Sequence, residues 1–204
     1  ALERNPEVRT IILTGAGENF SAGADITEFS AIRASAHQGR DYEIAVDACC
    51  DAIANVSKPT IAVVKGFCLG GAAHLAMSCD FRYADAGAKF GIPATRLSII
   101  YGVSGTKKLL SLVGLSQAKK ILYAGQQFSA SEALKIGFVD SVAGVLAEPV
   151  KKSFFGLFGG SPRTPATGND VMAEARAFAR SLSDGAPLTI AGAKYILNGL
   201  AMGV

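Results

Sequence analysis

The sequence predicts an α/β protein whose later part is mostly helical. Two β-branched runs, at residues 8–14 and 60–65, each end at a glycine, which is typical of buried strands that lead into turns. Between them, residues 41–56 carry apolar side chains every three or four positions, the spacing of an amphipathic helix. Because strands and helices alternate along the chain, we expect the helices to pack against a sheet.

Further elements follow in the same order. Residues 81–84, 88–91 and 137–142 have the composition of short strands. Ser129 and Glu132 have the spacing of a capping box, which predicts a helix that begins after Ser129. The expected helices lie at residues 71–78, 105–113, 116–124, 130–136, 170–183 and 188–200. We divide the chain into a core, residues 1–142, and a loop insertion with a helical region, residues 143–204.

One loop, at residues 151–168, is rich in glycine and proline and also carries a cluster of large apolar side chains. Exposed apolar side chains of this size invite association. We therefore expect them to dock against a neighbouring subunit or over the mouth of a binding site. The cluster consists of Phe154, Phe155, Leu157 and Phe158.

Composition and charge exclude several classes of partner. The chain has 204 residues, 50% of them hydrophobic, and a formal net charge of +3. Its Lys and Arg residues are scattered, so no nucleic-acid partner is expected. No apolar run is long enough to cross a bilayer, and we expect a soluble, cytoplasmic protein. The cysteines lack the spacing of metal ligands, so we expect free thiols and no metal site. They are Cys49, Cys50, Cys68 and Cys79.

Two junctions between a strand and a turn are candidates for chemistry. One is FSAGAD at residues 20–25, and the other is GFCLGGAAH at residues 66–74, where a strand leads into a helix. Glycines allow the backbone to approach a ligand closely, and the first turn of a helix presents free amides. Two amides that converge on one oxygen would form an oxyanion hole. Spacing alone leaves a second interpretation open, in which both turns serve only for packing.

The same segments resemble the enoyl-CoA hydratase/isomerase, or crotonase, superfamily. VRTIILTGAGENFSAGADI at residues 8–26 is similar to the first signature of that family. Residues 58–93, with their Gly-Gly turn and Cys-Asp element, resemble the second signature, and FSASEALKIGFVDSV at residues 128–142 resembles the stretch that follows. These segments occur in the order of the family and extend over most of the chain up to Val142.

The resemblance implies a crotonase-like spiral of ββα units, a homotrimer or hexamer, and an acyl-CoA substrate, with no cofactor beyond the coenzyme A of that substrate. It implies that the amides of Ala24 and Gly71 bind the thioester oxygen. It also implies that a segment of the core precedes Ala1. The implied contacts with coenzyme A are Ala22, Ala24, Asp25, Ile26, Thr27 and Gly71. For Asp25, a carboxylate that stabilises its own turn remains an equal alternative.

The sequence departs from the family at the two glutamates that hydratases use. His74 and Ala94 occupy these positions, so the two-glutamate mechanism of hydration does not transfer to this chain. His74 is a candidate general base, against the alternative of a buried structural histidine. The place of Tyr101 resembles that of a tyrosine which faces the substrate in the acyl-CoA decarboxylase branch, against the alternative of a core tyrosine. For Lys194, a contact with a CoA phosphate or a solvated surface position is expected.

These features support an enoyl-CoA hydratase/isomerase-like enzyme that stabilises the enolate of a CoA thioester. A decarboxylase or hydrolase of acyl-CoA needs the oxyanion hole without both glutamates, and is a second interpretation. The third is an acyl-CoA-binding subunit with little catalysis.

Overall fold

A computed structural model describes residues 1–144 and 170–202, and it has the expected α/β architecture with a helical C-terminal part. The segment at residues 151–168, with its predicted docking loop, lies outside the described residues. The division of the chain at residue 142 stays a prediction. The strands are β1 (Ile11–Thr14), β2 (Thr60–Val64), β3 (Phe67–Leu69), β4 (Phe81–Ala84), β5 (Lys89–Gly91), β6 (Gln127–Ser129) and β7 (Ser141–Val142). The helices are α1 (Phe29–Ile32), α2 (Ala36–Ala54), α3 (Gly71–Ser78), α4 (Val103–Ala124), α5 (Ala130–Lys135), α6 (Val171–Ser183) and α7 (Pro187–Met202), with short 3-10 turns at Ile26–Glu28 and Ala94–Leu97.

The strands form two sheets, and the chain passes from one to the other within the pairs β2/β3 and β4/β5. The first sheet is parallel, in the order β1-β2-β4-β7, and the second has the order β3-β5-β6. In the second sheet β3 and β5 are parallel, and β6 is antiparallel to β5. Consecutive strands such as β2 and β3 therefore belong to different sheets and are followed by a helix. This arrangement is a spiral of ββα units.

Strand β2 is the centre of the core because it is buried on both faces. Ile61 and Val63 point to one side, where they pack with Val171 and Ala175 of helix α6. The alternate residues of β2, Ala62 and Val64, belong to a larger cluster on the other side. That cluster also contains the alanines of α3, which hold this helix against the sheet.

Several element boundaries differ from the prediction, each for a local reason. Helix α2 begins at Ala36 rather than at residue 41, because Ser35 and Gln38 form a capping box. Helix α4 joins the two helices expected at residues 105–113 and 116–124, across a kink at Gly114 with φ 73°. The strands β3 and β6 were not expected from the sequence, and both belong to the second sheet.

Lys194 is buried rather than solvated, so the expectation of a surface position is wrong, while a contact with a CoA phosphate stays a prediction. Its side chain is 8% exposed, and its Nζ lies 2.9 Å from Oδ2 of Asp80. The same Nζ donates a hydrogen bond to the carbonyl oxygen of Lys58, 3.1 Å away. Asp80 also accepts hydrogen bonds from the amide and the hydroxyl of Thr60. This buried pair fastens helix α7 to the start of strand β2.

Candidate active site

A cavity of about 360 Å³ lies where the two predicted junctions meet. Its walls come from the turn at residues 21–26, the helices α1 and α2, the start of α3, and residues 92–102. Most of the lining side chains are apolar, as expected for a small-molecule site. The apolar part of the lining includes Ala22, Ile26, Phe29, Val46, Leu75, Ile92, Ala94, Leu97 and Ile99.

The two junctions are in backbone contact on one side of the cavity. The amide of Ser21 donates to the carbonyl oxygen of Phe67 at 2.9 Å, and the amide of Leu69 donates to the carbonyl oxygen of Ser21 at 3.1 Å. Gly23 has φ +98°, and a Cβ there would lie 2.7 Å from the carbonyl oxygen of Leu69. Only glycine permits this approach. The hydrogen bonds and the contact at Gly23 set the position of the next residue, Ala24.

Ala24 and Gly71 both line the cavity, and their amides are close together. Gly70, with φ +57°, turns the chain into helix α3, so that Gly71 is the first helical residue. A Cβ at Gly71 would lie 4.0 Å from the amide nitrogen of Ala24. Within the described part of the chain, neither of these two amides donates a hydrogen bond. Both amides are therefore free backbone donors at the cavity, and free donors are what an oxyanion hole needs.

Asp25 and Thr27 bind to each other at the edge of this turn. Oδ1 of Asp25 accepts hydrogen bonds from the hydroxyl and the amide of Thr27, at 2.6 and 2.9 Å. Both hydrogen bonds lower the pKa of Asp25, and the bond from the hydroxyl contributes more than the bond from the amide. The carboxylate caps the 3-10 turn at Ile26–Glu28, the turn-stabilising role that the sequence left open. Neither side chain lines the cavity, whereas those of Ala22 and Ile26 do.

Tyr101 lines the cavity, but its hydroxyl is engaged by the protein. The hydroxyl donates a hydrogen bond to the carbonyl oxygen of Gly70, 3.2 Å away. Burial raises the pKa of Tyr101 above its usual value, so the hydroxyl stays protonated. Ala94 also lines the cavity and offers no group for proton transfer.

His74 is brought close to Tyr101 but does not line the cavity. Its side chain is buried, and its ring centroid lies 6.2 Å from that of Tyr101. Nε2 of His74 lies 3.5 Å from the hydroxyl of Ser104, which also accepts a hydrogen bond from Lys108 at 3.1 Å. Burial, with the nearby charge of Lys108, lowers the pKa of His74 to about 4. The imidazole is therefore neutral near pH 7.

Two carboxylates in the cavity wall, Glu43 and Asp47, were not predicted from the sequence. Both project from helix α2, and the carboxylate of Glu43 lies against Gly102, where a Cβ would collide with it. Burial and the neighbouring charge of Asp51 raise the pKa of Asp47. The separation of four residues between Glu43 and Asp47 was a usable signal, because it places both on one face of a helix.

Other polar groups in the wall have more limited chemistry. Arg33 is stacked on Tyr42, with 4.0 Å from its Cζ to the ring centroid, and its buried Nε has no hydrogen-bond partner in the described part of the chain. Burial raises the pKa of Cys50 to about 11, so this residue is a thiol rather than a thiolate.

Residues 1–144 and 170–202 contain no group of three or more metal-ligating side chains. No helix in these ranges is long and apolar enough to span a membrane.

Comparisons with known proteins agree on one family. Residues 1–152 match the family model described as Enoyl-CoA hydratase/isomerase. The chain is 43% identical over 142 residues to the short-chain-enoyl-CoA hydratase of Clostridium acetobutylicum, a match that covers 69% of this chain and 54% of that protein. It is 34% identical over 158 residues to the peroxisomal Delta(3,5)-Delta(2,4)-dienoyl-CoA isomerase of Arabidopsis thaliana, which covers 72% of this chain and 57% of that protein.

A solved structure shows the same fold. The crystal structure of enoyl-CoA hydratase from Bacillus anthracis matches with a TM-score of 0.78 and 30% identity, over 98% of this chain and 68% of that one. The chain spans about half the length of the two curated relatives named above. These relatives include both a hydratase and an isomerase, so the reaction has to be argued from the cavity itself.

Proposed function

The chain belongs to the enoyl-CoA hydratase/isomerase family, and from this premise we propose that its cavity binds an acyl-CoA thioester and stabilises the enolate of that thioester. The observation that carries the proposal is the pair of free amides at Ala24 and Gly71. When a thioester loses a proton at its α-carbon, negative charge develops on the carbonyl oxygen. Two amides already directed at that oxygen stabilise the charge without reorganisation, and each such donor is worth about a hundredfold to a thousandfold in rate.

The proton transfers of the reaction need an acid or a base in addition to the amides. Ala94 supplies neither, and His74 does not line the cavity. The carboxylates that the cavity holds, Glu43 and Asp47, belong to helix α2. Burial raises the pKa of Asp47, which makes its carboxylate a stronger base than that of an unperturbed aspartate. We therefore assign the acid–base role in a hydratase- or isomerase-like reaction to this pair.

A second candidate function is decarboxylation or hydrolysis of an acyl-CoA thioester. It is favoured by one observation, which is that the position of Ala94 in the wall carries no carboxylate. In decarboxylation the enolate forms by loss of CO₂, so that no base is needed at the α-carbon. A subunit that binds acyl-CoA without turnover is the third candidate.

The experiment compares two substitutions of the same residue. Gly71→Pro removes the amide hydrogen, while proline is well tolerated at the first position of a helix. Gly71→Ala keeps the amide, and its Cβ would lie 4.0 Å from the amide nitrogen of Ala24, an ordinary van der Waals contact. With crotonyl-CoA and methylmalonyl-CoA as substrates, Gly71→Pro is expected to lower turnover by about a hundredfold or more, and Gly71→Ala by far less.

A folded Gly71→Pro variant with the turnover of the wild type would refute the role of this amide. If the wild type turns over neither substrate but binds both, the third candidate is supported. Turnover of methylmalonyl-CoA alone supports decarboxylation.

Assembly and location complete the proposal. We propose a cytoplasmic homotrimer or hexamer that uses no cofactor beyond the coenzyme A of its substrate and binds no nucleic acid. Support for association comes from helix α7, where Leu188 is 88% and Tyr195 82% exposed. Light scattering coupled to size exclusion gives the number of subunits, and a monomer at micromolar concentration would refute the assembly.

A further inference from the structure

The hydroxyl of Tyr101 and the amide of Gly71 meet on one peptide group. Tyr101 donates a hydrogen bond to the carbonyl oxygen of Gly70, 3.2 Å away, and this carbonyl shares its peptide bond with the N–H of Gly71. We infer that Tyr101 is a positioning residue of the oxyanion hole, which acts on the thioester through the Gly70–Gly71 peptide rather than by contact. The inference rests on the proposed function, since it needs a thioester oxygen at Gly71.

The first part of the argument concerns orientation. The amide of Gly70 donates to the carbonyl oxygen of Gly91 at 2.8 Å, and its carbonyl accepts from the amide of His74 at 3.3 Å as well as from Tyr101. The peptide between Gly70 and Gly71 is planar and trans. A hydrogen bond that holds its carbonyl therefore also sets the direction of the N–H on the other side. Two donors on this carbonyl oxygen fix the amide of Gly71 before any ligand binds.

The second part concerns polarisation. A peptide whose oxygen accepts a hydrogen bond becomes a stronger donor at its nitrogen, because hydrogen bonds in a chain polarise one another. The phenol must stay protonated to act in this way. Burial raises the pKa of Tyr101 well above neutral, so the hydroxyl remains a donor throughout the physiological range.

The packing around the ring shows that its position is specified. A Cβ at Gly105 would lie 2.8 Å from Cε1 of Tyr101 and 3.3 Å from Cγ of His74. The absence of a side chain at Gly105 leaves the space in which these two rings lie. A phenylalanine at residue 101 would fill the same space, so Tyr101→Phe removes the hydroxyl and little else.

The alternative is that Tyr101 contacts the substrate directly, as its place in the sequence first suggested. Both roles lower turnover in Tyr101→Phe, so a rate alone does not separate them. The two roles predict different hydrogen bonding to the thioester oxygen when the ligand is bound and no reaction takes place. Only the role through the peptide changes the strength of the hydrogen bond to the thioester oxygen, and this strength is visible in the stretching frequency of the thioester carbonyl.

The experiment uses butyryl-CoA labelled with ¹³C at the thioester carbonyl. The butyryl chain is saturated, so the ligand cannot be hydrated. Its carbonyl band is measured by isotope-edited infrared difference spectroscopy on the full chain. In the wild type the band is expected below that of free butyryl-CoA. In Tyr101→Phe the shift is expected to shrink by roughly 10–30%, while the Kd for free coenzyme A stays unchanged.

Two further variants sharpen the comparison. Tyr42→Phe removes a phenol oxygen from the same cavity wall. The ring of Tyr42 contacts Phe29 and Arg33, so the band of this variant is expected to coincide with that of the wild type. Gly105→Ala keeps the hydroxyl but pushes on the ring of Tyr101. It is expected to move the band in the same direction as Tyr101→Phe.

The outcomes separate this inference from the proposed function. A wild-type band at the frequency of free butyryl-CoA refutes the oxyanion hole, and the inference is lost with it. A shifted band that is the same in the wild type and in Tyr101→Phe refutes the inference alone. A smaller shift in Tyr101→Phe, with the band of Tyr42→Phe unchanged, supports both.

Discussion

Nε2 of His74 and the hydroxyl of Ser104 lie 3.5 Å apart, which places the imidazole between the helices α3 and α4. Lys108 donates hydrogen bonds to both Ser104 and Asp51, at 3.1 Å each. The ammonium of Lys108 and the burial of the ring disfavour a second positive charge on His74. The histidine is therefore a neutral part of a buried polar network, and protonation should cost stability.

The free energy of unfolding is expected to fall between pH 7 and pH 5. The pKa of His74 is about 4 in the folded protein, against about 6.5 for an unperturbed histidine. In this window the unfolded state binds a proton that the folded state does not, so stability is present above pH 6.5 and is lost as the pH falls towards 4. The expected loss at pH 5 is roughly 2 kcal/mol, measured by urea denaturation.

The matched control for this pH effect uses the other histidine. His37 is exposed at the start of helix α2, beside Asp41. His37→Gln should keep the loss of stability, and His74→Gln should reduce it. An equal pH dependence in wild type and His74→Gln would show that other groups cause it.

Asp47 is expected to carry whatever hydration of crotonyl-CoA the chain catalyses. Without the two glutamates of the family, this rate should lie well below the hundreds per second of efficient enzymes. Asp47→Asn should lower it by about a hundredfold or more, since general acid–base catalysis contributes at least that factor. Asp41→Asn, on the same helix and outside the cavity wall, is the control. Efficient hydration that survives in Asp47→Asn contradicts the assignment.

Coenzyme A affinity should depend on the shape of the turn after Ala24 more than on the charge of Asp25. Asp25→Ala removes the acceptor that caps the turn at Ile26–Glu28, and is expected to raise the Kd for coenzyme A by roughly fivefold. Asp25→Asn keeps an oxygen acceptor and should bind nearly as well as the wild type. Isothermal titration with free coenzyme A measures both. If Asp25→Asn binds as weakly as Asp25→Ala, the charge itself contacts the ligand.

The pair of Asp80 and Lys194 should be strongly coupled in stability. Asp80→Ala leaves the ammonium of Lys194 buried without its counter-charge, and is expected to cost about 3–5 kcal/mol. Adding Lys194→Met should recover part of this loss, because the buried charge is then gone. A double-mutant cycle by urea denaturation measures the coupling, and strict additivity would contradict it. In the exposed pair of His37 and Asp41, Asp41→Ala should have no measurable effect.

Elements with a strong local signal could be predicted from the sequence. Helix α3 was placed at residues 71–78 because Gly70 and Gly71 end a strand, and the capping box at Ser129 and Glu132 marks the start of α5. The sequence predicts two helices on either side of Gly114, whereas the structure has the single kinked helix α4. Glycine is typical both of a kink and of a helix end, so its presence does not distinguish the two. Strands β3 and β6 depend on partners in the second sheet, which no local pattern reports.

The candidate site was predictable only where the backbone forms it. The amides of Ala24 and Gly71 lie in turns with glycines at defined places, and the structure brings them together. The burial of Lys194 depends on Asp80, which lies 114 residues away in the chain. The positions of Glu43 and Asp47 depend on which face of helix α2 meets the cavity. Packing between distant elements decides both, and a single sequence does not contain that information.

The hydrogen bonds between Ser21 and strand β3 tie one part of the cavity wall together, so that the residues of the remaining wall are freer to be substituted. They join the turn that holds Ala24 directly to the strand that leads to Gly71. A second part of the wall, which includes Phe29 and Val46, comes from the helices between these two segments and supplies neither amide. Substitutions in that wall can therefore reshape the space for the acyl group while the two donors keep their positions. A combinatorial library confined to that wall, with Glu43 and Asp47 left unchanged, would sample new acyl groups around the proposed reaction centre.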